Sequence, residues 1–512
     1  MNKLFLWAIT SALAGFIFGF DLVVISGAEQ SIQALWNLSP AAHGWLMSSA
    51  IWGTVLGSLL GGIPTEKLGR RPTLLAIGIL YFISALGSAM AKDPTTFMIF
   101  RALGGVGIGI STVAAPLFIA EISPAHRRGL LTGLFQFNIV FGLLIATLSN
   151  ALIGSLLADN PDAWRVMIGI EAVPALLYSV LCFSLPESPR WLMLKGKTEQ
   201  AQSVIAQINP QMNAAQVDEK MAELQSPASD ALDRKLNLKR LRLPLAIAFL
   251  VAFFNQLSGI NAILGYAPRI FGMTGVDTSA SLFNASLVTL VNLVFTFVGL
   301  ALIDRLGRRT LLYIGSFGYI ASLGICTWAF SAYAQPFSEA ATALDVKSVN
   351  LVLSDTVATK EKFAAANDTL EQIRETTGVY LSSPGSDLAA EADSKLSLAK
   401  EASGAGATIV LVSILAFIAA HAIGQGTVIW VLISEIFPQH ARSFGQSIGS
   451  TTHWVFAALL TQFFVLATDA FSPPQVFGFF CFMMILHLIW VKVMVPETKG
   501  KTLEELGNTT SA

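Results

Sequence analysis

An all-helical membrane protein of twelve spanning helices, built from two related halves, is the fold class this sequence predicts. Three observations carry it: the composition, the number of long apolar runs, and a set of motifs that occurs twice. Hydrophobic residues make up 54% of the 512 and charged residues only 13%, with 34 Phe and 41 Gly, and the mean hydropathy is +0.63. The charges are bunched between apolar stretches, as in a polytopic membrane protein. A helix needs about 20 apolar residues to cross the hydrocarbon core. Twelve such runs are present, at 4–27, 44–65, 72–91, 96–121, 129–154, 164–185, 244–271, 279–303, 309–331, 407–437, 443–468 and 473–495. None shows the two-residue alternation of a β-barrel strand.

The repeat divides the chain. Gly62-Ile63-Pro64-Thr65-Glu66-Lys67-Leu68-Gly69-Arg70-Arg71 is answered by Gly299 through Asp304-Arg305-Leu306-Gly307-Arg308-Arg309. Glu121-Ile122-Ser123-Pro124 with Arg127 and Arg128 is answered by Glu435-Ile436-Phe437-Pro438 with Arg442, and Pro186-Glu187-Ser188-Pro189-Arg190 by Pro496-Glu497-Thr498-Lys499-Gly500. Such repetition is read first because it sets the architecture. The offsets between copies are 238, 314 and 310 residues, so about 76 residues entered the second half between 309 and 435. The parts are an N-terminal half at 1–185, a polar linker with amphipathic helices at 186–243, a C-terminal half at 244–495, an insert at 331–405 and a tail at 496–512.

Taken in order, the first run begins at Met1-Asn2-Lys3 and contains Ala12-Leu13-Ala14, which imitates a cleaved signal peptide. The run continues past Phe16 and reads as an uncleaved first span. It carries Asp21. In the second span Gly53, Gly57 and Gly61 recur every four residues, as Gly105 and Gly109 do in the fourth, giving faces for close helix approach, static or sliding. The loop from Glu66 to Arg71 makes a tight hairpin in which a carboxylate can accept hydrogen bonds from arginines and free helix N–H groups. Repeated in both halves, the set Glu66, Arg70, Arg71, Glu121, Arg128, Glu187, Asp304, Arg308, Arg309, Glu435, Arg442 and Glu497 reads as a breakable cytoplasmic gate latch. Plain anchoring at the membrane surface is the other reading.

The short loops 66–71, 122–128, 304–309 and 438–442 hold nine Lys or Arg, whereas the loops on the other side hold only Lys92. Both termini are therefore expected in the cytoplasm of a multi-pass protein of the cell membrane. Arg165 and Arg269, near outer helix ends, narrow that margin without reversing it. The insert has eleven acidic and six basic residues from Ser331 to Gly404. It is expected on the outer face as two or more short amphipathic helices. It reads as an entrance cap, a docking place for an outer partner or an inert expansion, and its residues do not choose. Cys182, Cys326 and Cys481 lie within apolar runs and have no metal or disulfide spacing.

Gly19-Phe20-Asp21 with Val24-Ile25-Ser26-Gly27, both hairpins, Pro186 through Leu192, Gln256-Leu257-Ser258-Gly259-Ile260-Asn261, Trp430 with Ser434 through Pro438, and Pro496 through Gly500 jointly resemble a known family. The chain is similar to the sugar porters of the major facilitator superfamily, in particular to bacterial sugar–proton symporters. The resemblance spans all but the insert. It implies two six-helix bundles, alternating access and a monosaccharide, hexose or pentose, held between them near mid-membrane. It also implies a functional monomer in the lipid bilayer, with protons for coupling and no cofactor.

By that resemblance Gln136, Asn255, Gln256, Asn261, Asn292, Trp430 and His453 contact sugar. Amides suit hydroxyl groups, and an indole face suits the apolar side of a ring. Gln256 and Asn261 are five residues apart, about 140° around an ideal helix, so they converge only if the helix is broken, and Gly259 permits a break. Departures from the family pattern are Asn255 in place of a Gln, Gly265 in place of an aromatic, Thr427 in place of a Pro and His453 in place of a Gln. His421 lies nine residues before Trp430, about half a turn away, and reads as a packing residue unless Gly424 and Gly426 unwind the segment.

Asp21 is the one acid of the first span and Arg101 the one charge in the middle of the fourth. A mid-membrane charge costs at least about 2.5–3.5 kcal/mol on insertion scales and so requires a partner and a role. The resemblance makes Asp21 the proton carrier, Arg101 its partner and Glu171 a second acid that can share the proton. A permanent Asp21–Arg101 bridge is the structural alternative. A facilitative sugar uniporter and a transporter-like sugar receptor are the competing functions. No nucleophile–base set, phosphate loop, metal-ligand spacing or nucleic-acid feature is found, which speaks against an enzyme.

Overall fold

The structure, a computed structural model, describes residues 3–124, 127–158, 160–225, 238, 241–338, 386–437 and 441–499. In the N-terminal half the helices are α1 (Lys3–Val24), α2 (Glu29–Leu35), α3 (Pro40–Leu60), α4 (Gly62–Lys67), α5 (Arg70–Ala89), α6 (Pro94–Ile122), α7 (Arg128–Leu156), α8 (Ala163–Gly169) and α9 (Ala172–Cys182). The linker holds α10 (Pro189–Leu194), α11 (Thr198–Ile208) and α12 (Ala214–Gln225). The C-terminal half holds α13 (Arg242–Leu257), α14 (Ile260–Gly265), α15 (Ala267–Gly272), α16 (Thr278–Leu306), α17 (Arg308–Ala332), α18 (Ser386–Ile423), α19 (Gln425–Glu435), α20 (Arg442–Ala470) and α21 (Pro473–Met494). Among the described residues there is no strand.

Among the described residues, eleven candidate spans are long and apolar enough to cross a membrane. The twelfth, α3, has the length at 21 residues but is diluted by His43, Ser48, Ser49 and Thr54, all buried. Four spans begin where Ser or Asp precedes the first turn. Ser39 caps α3 and Asp93 caps α6, each followed by Pro, while Asp277 caps α16 and Ser472 with Gln475 forms a capping box on α21. These side chains satisfy N–H groups that the helix leaves free, and Pro has none to lose.

Several spans are broken among the described residues. The sixth breaks between α8 and α9 at Ile170-Glu171, the seventh at Ser258-Gly259, where Gly259 has φ +89°, and the tenth at Gly424, with φ −86° and ψ −104°. Pro174 offers no N–H to the carbonyl of Ile170, which accounts for the first break. At the third, the Thr427 hydroxyl donates to the freed carbonyl of Ala422 at 2.6 Å. Irregular backbone within a membrane is tolerated where protein or a cavity surrounds it.

Within the first half α1 packs on α7 and α6, and α3 and α5 on α6; within the second, α17 packs on α18 and α21, and α13 on α20. The repeated glycines serve contacts inside one half: Gly53 and Gly57 of α3 sit against the backbone carbonyls of Ala102 and Val106 of α6, and Gly105 against that of Ala50. The halves meet along α3 with α20 and α7 with α16. There Gly44 lies on the carbonyl of Gln462. The C-terminal part of the expected insert differs from expectation: from Ser386 it is no separate short helix but runs unbroken into the tenth span as the 38-residue α18. The rest of the insert, 339–385, lies outside the described residues.

Candidate functional site

Asp21 of α1 is 1% exposed and Arg101 of α6 is 2% exposed, and the two form a direct ion pair. Arg101 Nη2 also donates to the Asp21 carbonyl at 3.0 Å. Glu171, 1% exposed at the α8–α9 break, feels the charges of both. Neither of its carboxylate oxygens finds a donor among the described residues.

In the second half the break at Gly259 turns α14 so that Asn261 Nδ2 donates to Gln256 Oε1 at 2.7 Å. Gln256 Nε2 then donates to Asn255 Oδ1 at 3.0 Å and lies 3.2 Å from each ring nitrogen of His453. The His453 ring is 5.0 Å from that of Trp430 and 4.9 Å from that of Trp454, which contacts Phe18 of the first half at 5.6 Å. Asn255, Gln256, Asn261, His453 and Trp430 thus form one connected set. Gln136 on α7 is half-buried and Asn292 on α16 is buried, and neither joins this set by a hydrogen bond. His421 bonds Tyr319 of α17 at 2.7 Å instead.

A cavity of about 20 Å³ between the halves touches Asp21 and Arg101 on one side and Asn261 and Thr461 on the other. That is room for about one water molecule. The halves close over it on the face opposite the arginine hairpins. Arg269 of α15 donates from Nε and Nη2 to Glu29 of α2 at 2.9 and 2.6 Å, and His43 Nε2 lies 2.8 Å from the same carboxylate. Gln33 accepts from Arg269 at 2.5 Å, and Trp52 Nε1 donates to Gln462 at 3.0 Å. Burial pushes the Glu29 carboxyl up, but the bonds from His43 and Arg269 and their charges hold it below the usual carboxylate range.

The hairpin motifs build two matching networks. Arg70 binds Glu121 through Nε and Nη2 at 2.8 and 2.7 Å, and Arg308 binds Glu435 likewise at 3.1 and 2.8 Å. Glu187 accepts from the Arg70 backbone N–H at 2.8 Å, and Glu497 from that of Arg308 at 3.0 Å. Gly69 and Gly307, at φ +104° and +88°, bring each carboxylate close. Burial pushes the Glu187 carboxyl up, against the backbone N–H groups of Ser188, Arg70 and Arg71 and the Arg70 charge. Arg71 Nη2 donates to Phe183 O and Arg309 Nη2 to Lys492 O, at 2.9 and 2.8 Å. Each network lies within one half.

Glu66 departs from the expected latch, because its carboxylate is exposed and only its backbone carbonyl is engaged, by Trp191 Nε1 at 2.8 Å. Arg70 already has Glu121 and the carbonyl of Thr65. Asp304 reaches Arg308 at 3.1 Å from a largely exposed position. The side chains of Arg128 and Arg442 lie outside the described residues.

The chain matches the family described as "Sugar (and other) transporter" over residues 7–347 and 394–509. It belongs to that family. The unmatched stretch falls within the insert. Among relatives, the D-xylose-proton symporter of Escherichia coli (strain K12) is 30% identical over 99% of this chain and 96% of its own length. The arabinose-proton symporter of Bacillus subtilis (strain 168) is 29% identical over 99% and 95%. In solved structures, the xylose transporter XylE from E. coli in a partially occluded, inward open conformation is 28% identical, with a TM-score of 0.71 covering 98% of this chain and all of that one. The proton:xylose symporter XylE bound to 6-bromo-6-deoxy-D-glucose is 29% identical at 0.66, covering 99% and 100%. The transporter fold, two six-helix bundles in a multi-pass membrane protein, follows from the family and the helices together.

Within this family frame, the cross-half cluster of Glu29, His43 and Arg269 was missed by sequence reasoning. The signal available was Glu29 and His43 themselves, charged or polar residues on an outer loop that is otherwise short of charge, facing Arg269 at the end of a span. Thr461 gave no signal, since a lone Thr in an apolar run is ordinary.

Proposed function

We propose that this protein carries a monosaccharide, a hexose or a pentose, across the cell membrane by alternating access in symport with protons. The observation that supports it best is that the buried Asp21–Arg101 pair and the amide chain beginning at Asn261 line one cavity between the halves. The relatives named as xylose– and arabinose–proton symporters support the same reading.

Asp21 is the proton carrier, Arg101 its counter-ion and Glu171 the acid that shares the proton. Two buried carboxylates facing one guanidinium carry excess negative charge when both are ionised, which a low dielectric opposes, so the set retains an exchangeable proton. Gln256, Asn261, Asn255 and His453 exchange their mutual hydrogen bonds for sugar hydroxyls, and Trp430 covers the apolar face of the ring. Gln136 and Asn292 approach from α7 and α16 once sugar is bound. The two arginine networks stiffen the cytoplasmic ends of the halves, with both termini in the cytoplasm. The transporter works as a monomer, with no cofactor besides the proton and no enzymatic step.

Asp21→Asn keeps the side-chain shape but releases no proton. In proteoliposomes each pH unit supplies the wild type with about 1.4 kcal/mol per proton, enough for roughly tenfold accumulation. The variant is expected to bind sugar and lose that accumulation. If it still concentrates sugar with a pH gradient as sole driving force, or if the wild type takes up no protons with sugar, the symport reading is overturned in favour of a uniporter or of Glu171 as carrier.

A further inference from the structure

The small cavity between the halves has an unusual polar lining. Asp21 Oδ2 and Thr461 Oγ1 are buried without a hydrogen-bond partner, as is Arg101 Nε, and all three residues face this one space. Thr461 is 4% exposed, and its backbone carbonyl is taken by the Tyr266 hydroxyl at 2.9 Å, which fixes α20 against the seventh span. The other polar walls are Thr54, whose hydroxyl is committed to the Ala50 carbonyl, and Asn261, whose Nδ2 is committed to Gln256 and whose Oδ1 is left to accept. Met47, Ile51 and Leu264 supply apolar wall. A buried water needs two to four polar partners and a space of at least about 10–15 Å³, and the cavity meets both conditions.

We propose that one water in this cavity joins Asp21 to Thr461 and Asn261, and that Thr461 is a positioning residue through which the protonation of Asp21 sets the affinity of the sugar site. The proposal rests on the reading of Asp21 as proton carrier. With the proton on Asp21 Oδ2, that O–H donates to the water, whose two hydrogens go to Thr461 Oγ1 and Asn261 Oδ1. Asn261 is then held, and through its bond to Gln256 so is the amide chain that meets sugar. With the proton gone, Asp21 takes one water hydrogen, and Thr461 Oγ1 and Asn261 Oδ1 compete for the single hydrogen that remains, so Asn261 is held only part of the time. The water, not a side-chain contact, carries the difference across the gap between the halves. The charged and titratable groups facing Asp21 are Arg101 of α6, Glu171 at the α8–α9 break and Tyr81 of α5; α3, α14 and α20 present neutral side chains to the cavity.

The test measures equilibrium binding to the purified full-length protein at pH 6 and pH 8, using whichever of D-xylose, L-arabinose and D-glucose binds the wild type most tightly. The wild type is expected to bind about fivefold or more tightly at the lower pH, the lower end of usual site-to-site coupling. Thr461→Ser keeps the hydroxyl and the ratio. Thr461→Val keeps the shape, removes the hydroxyl and brings the ratio below about twofold, and Thr461→Ala serves if the Val variant does not fold. A Val or Ala variant with the wild-type ratio overturns the proposal, as does a Ser variant that loses it. Asp21→Asn separates the two layers: if it retains the wild-type pH ratio, or if the wild type has none, the proton-carrier reading itself fails and the water bridge with it.

Discussion

At the scale of single residues, the proposed sugar site is a chain of amides that satisfy one another before any ligand arrives. Gln256 sits at its centre, bonded to Asn255, Asn261 and His453. Replacing Gln256 or Asn261 with Ala removes a group that sugar hydroxyls would meet, a loss of about 1–3 kcal/mol or roughly 5- to 150-fold in Kd. The measurement is sugar binding to variants whose melting temperature shows that they remain folded; unchanged Kd in both would sink the site assignment. His453→Gln is expected to reorder preference among hexoses and pentoses more than it changes maximal rate, because the ring touches both Gln256 and Trp430. An unaltered order of preference makes His453 a packing residue. Much of this constellation was legible, since two amides five residues apart with a glycine between them require a broken helix in order to meet. Glu66 was not legible as a bystander: the sequence places an acid beside two arginines, and only the fold shows that Glu121, from another helix, reaches Arg70 first.

Helices and their ends come next in scale. Gly69 and Gly307 stand at positive φ immediately before Arg70 and Arg308, and a Cβ at either would enter the carboxylate of Glu187 or Glu497. Gly69→Ala and Gly307→Ala are each expected to cost at least about 1 kcal/mol, from backbone strain and displaced carboxylate together. Gly62→Ala, in open space within α4, is the control and should be neutral or slightly stabilising. Thermal unfolding in detergent checks all three, and a Gly69→Ala protein as stable as the Gly62→Ala one would show that the hairpin relaxes freely. The spans themselves were legible from length and apolarity, because the membrane makes that signal strong. Their breaks were only partly so. Gly259 announced one, whereas the break at Glu171 depends on Pro174 withholding an N–H three residues later, a local effect masked by a continuous apolar run. The start of α18 was misread for the opposite reason: Ser386 to Ala399 is polar enough to look like a separate short amphipathic helix, yet its Ala- and Leu-rich sequence continues a helix already nucleated by the span.

For the whole molecule, the arrangement of ion pairs separates what is fixed from what must move. Both arginine networks are internal to a half, so they hold each bundle rigid. Among the described residues, the ion pair that crosses between halves is on the opposite face, where Glu29 of the first half receives Arg269 of the second. Opening that face has to break it. Glu29 is fully buried, and removing one partner of a buried pair leaves the other charge stranded, a larger effect than losing an exposed bridge. Glu29→Gln is therefore expected to shift the equilibrium between the two access states, exposing cysteines placed at the cavity walls to a membrane-impermeant thiol reagent added on that face. Arg269→Met should do the same, and the double variant should add little, because both remove one interaction. The acid response follows from the direction of the Glu29 shift. Its carboxyl is held below the usual range, so its contribution is present above the unfolded value near 4.5 and is lost only as the pH falls through the lower folded value. Glu29 itself therefore stays ionised between pH 5 and 8, and any pH dependence of transport in that window that arises from Asp21 should persist in Glu29→Gln. If reagent access on that face is unchanged in both single variants, the halves are held together instead by α3 against α20 and α7 against α16, through contacts such as Trp52 with Gln462 and Thr147 with Thr289.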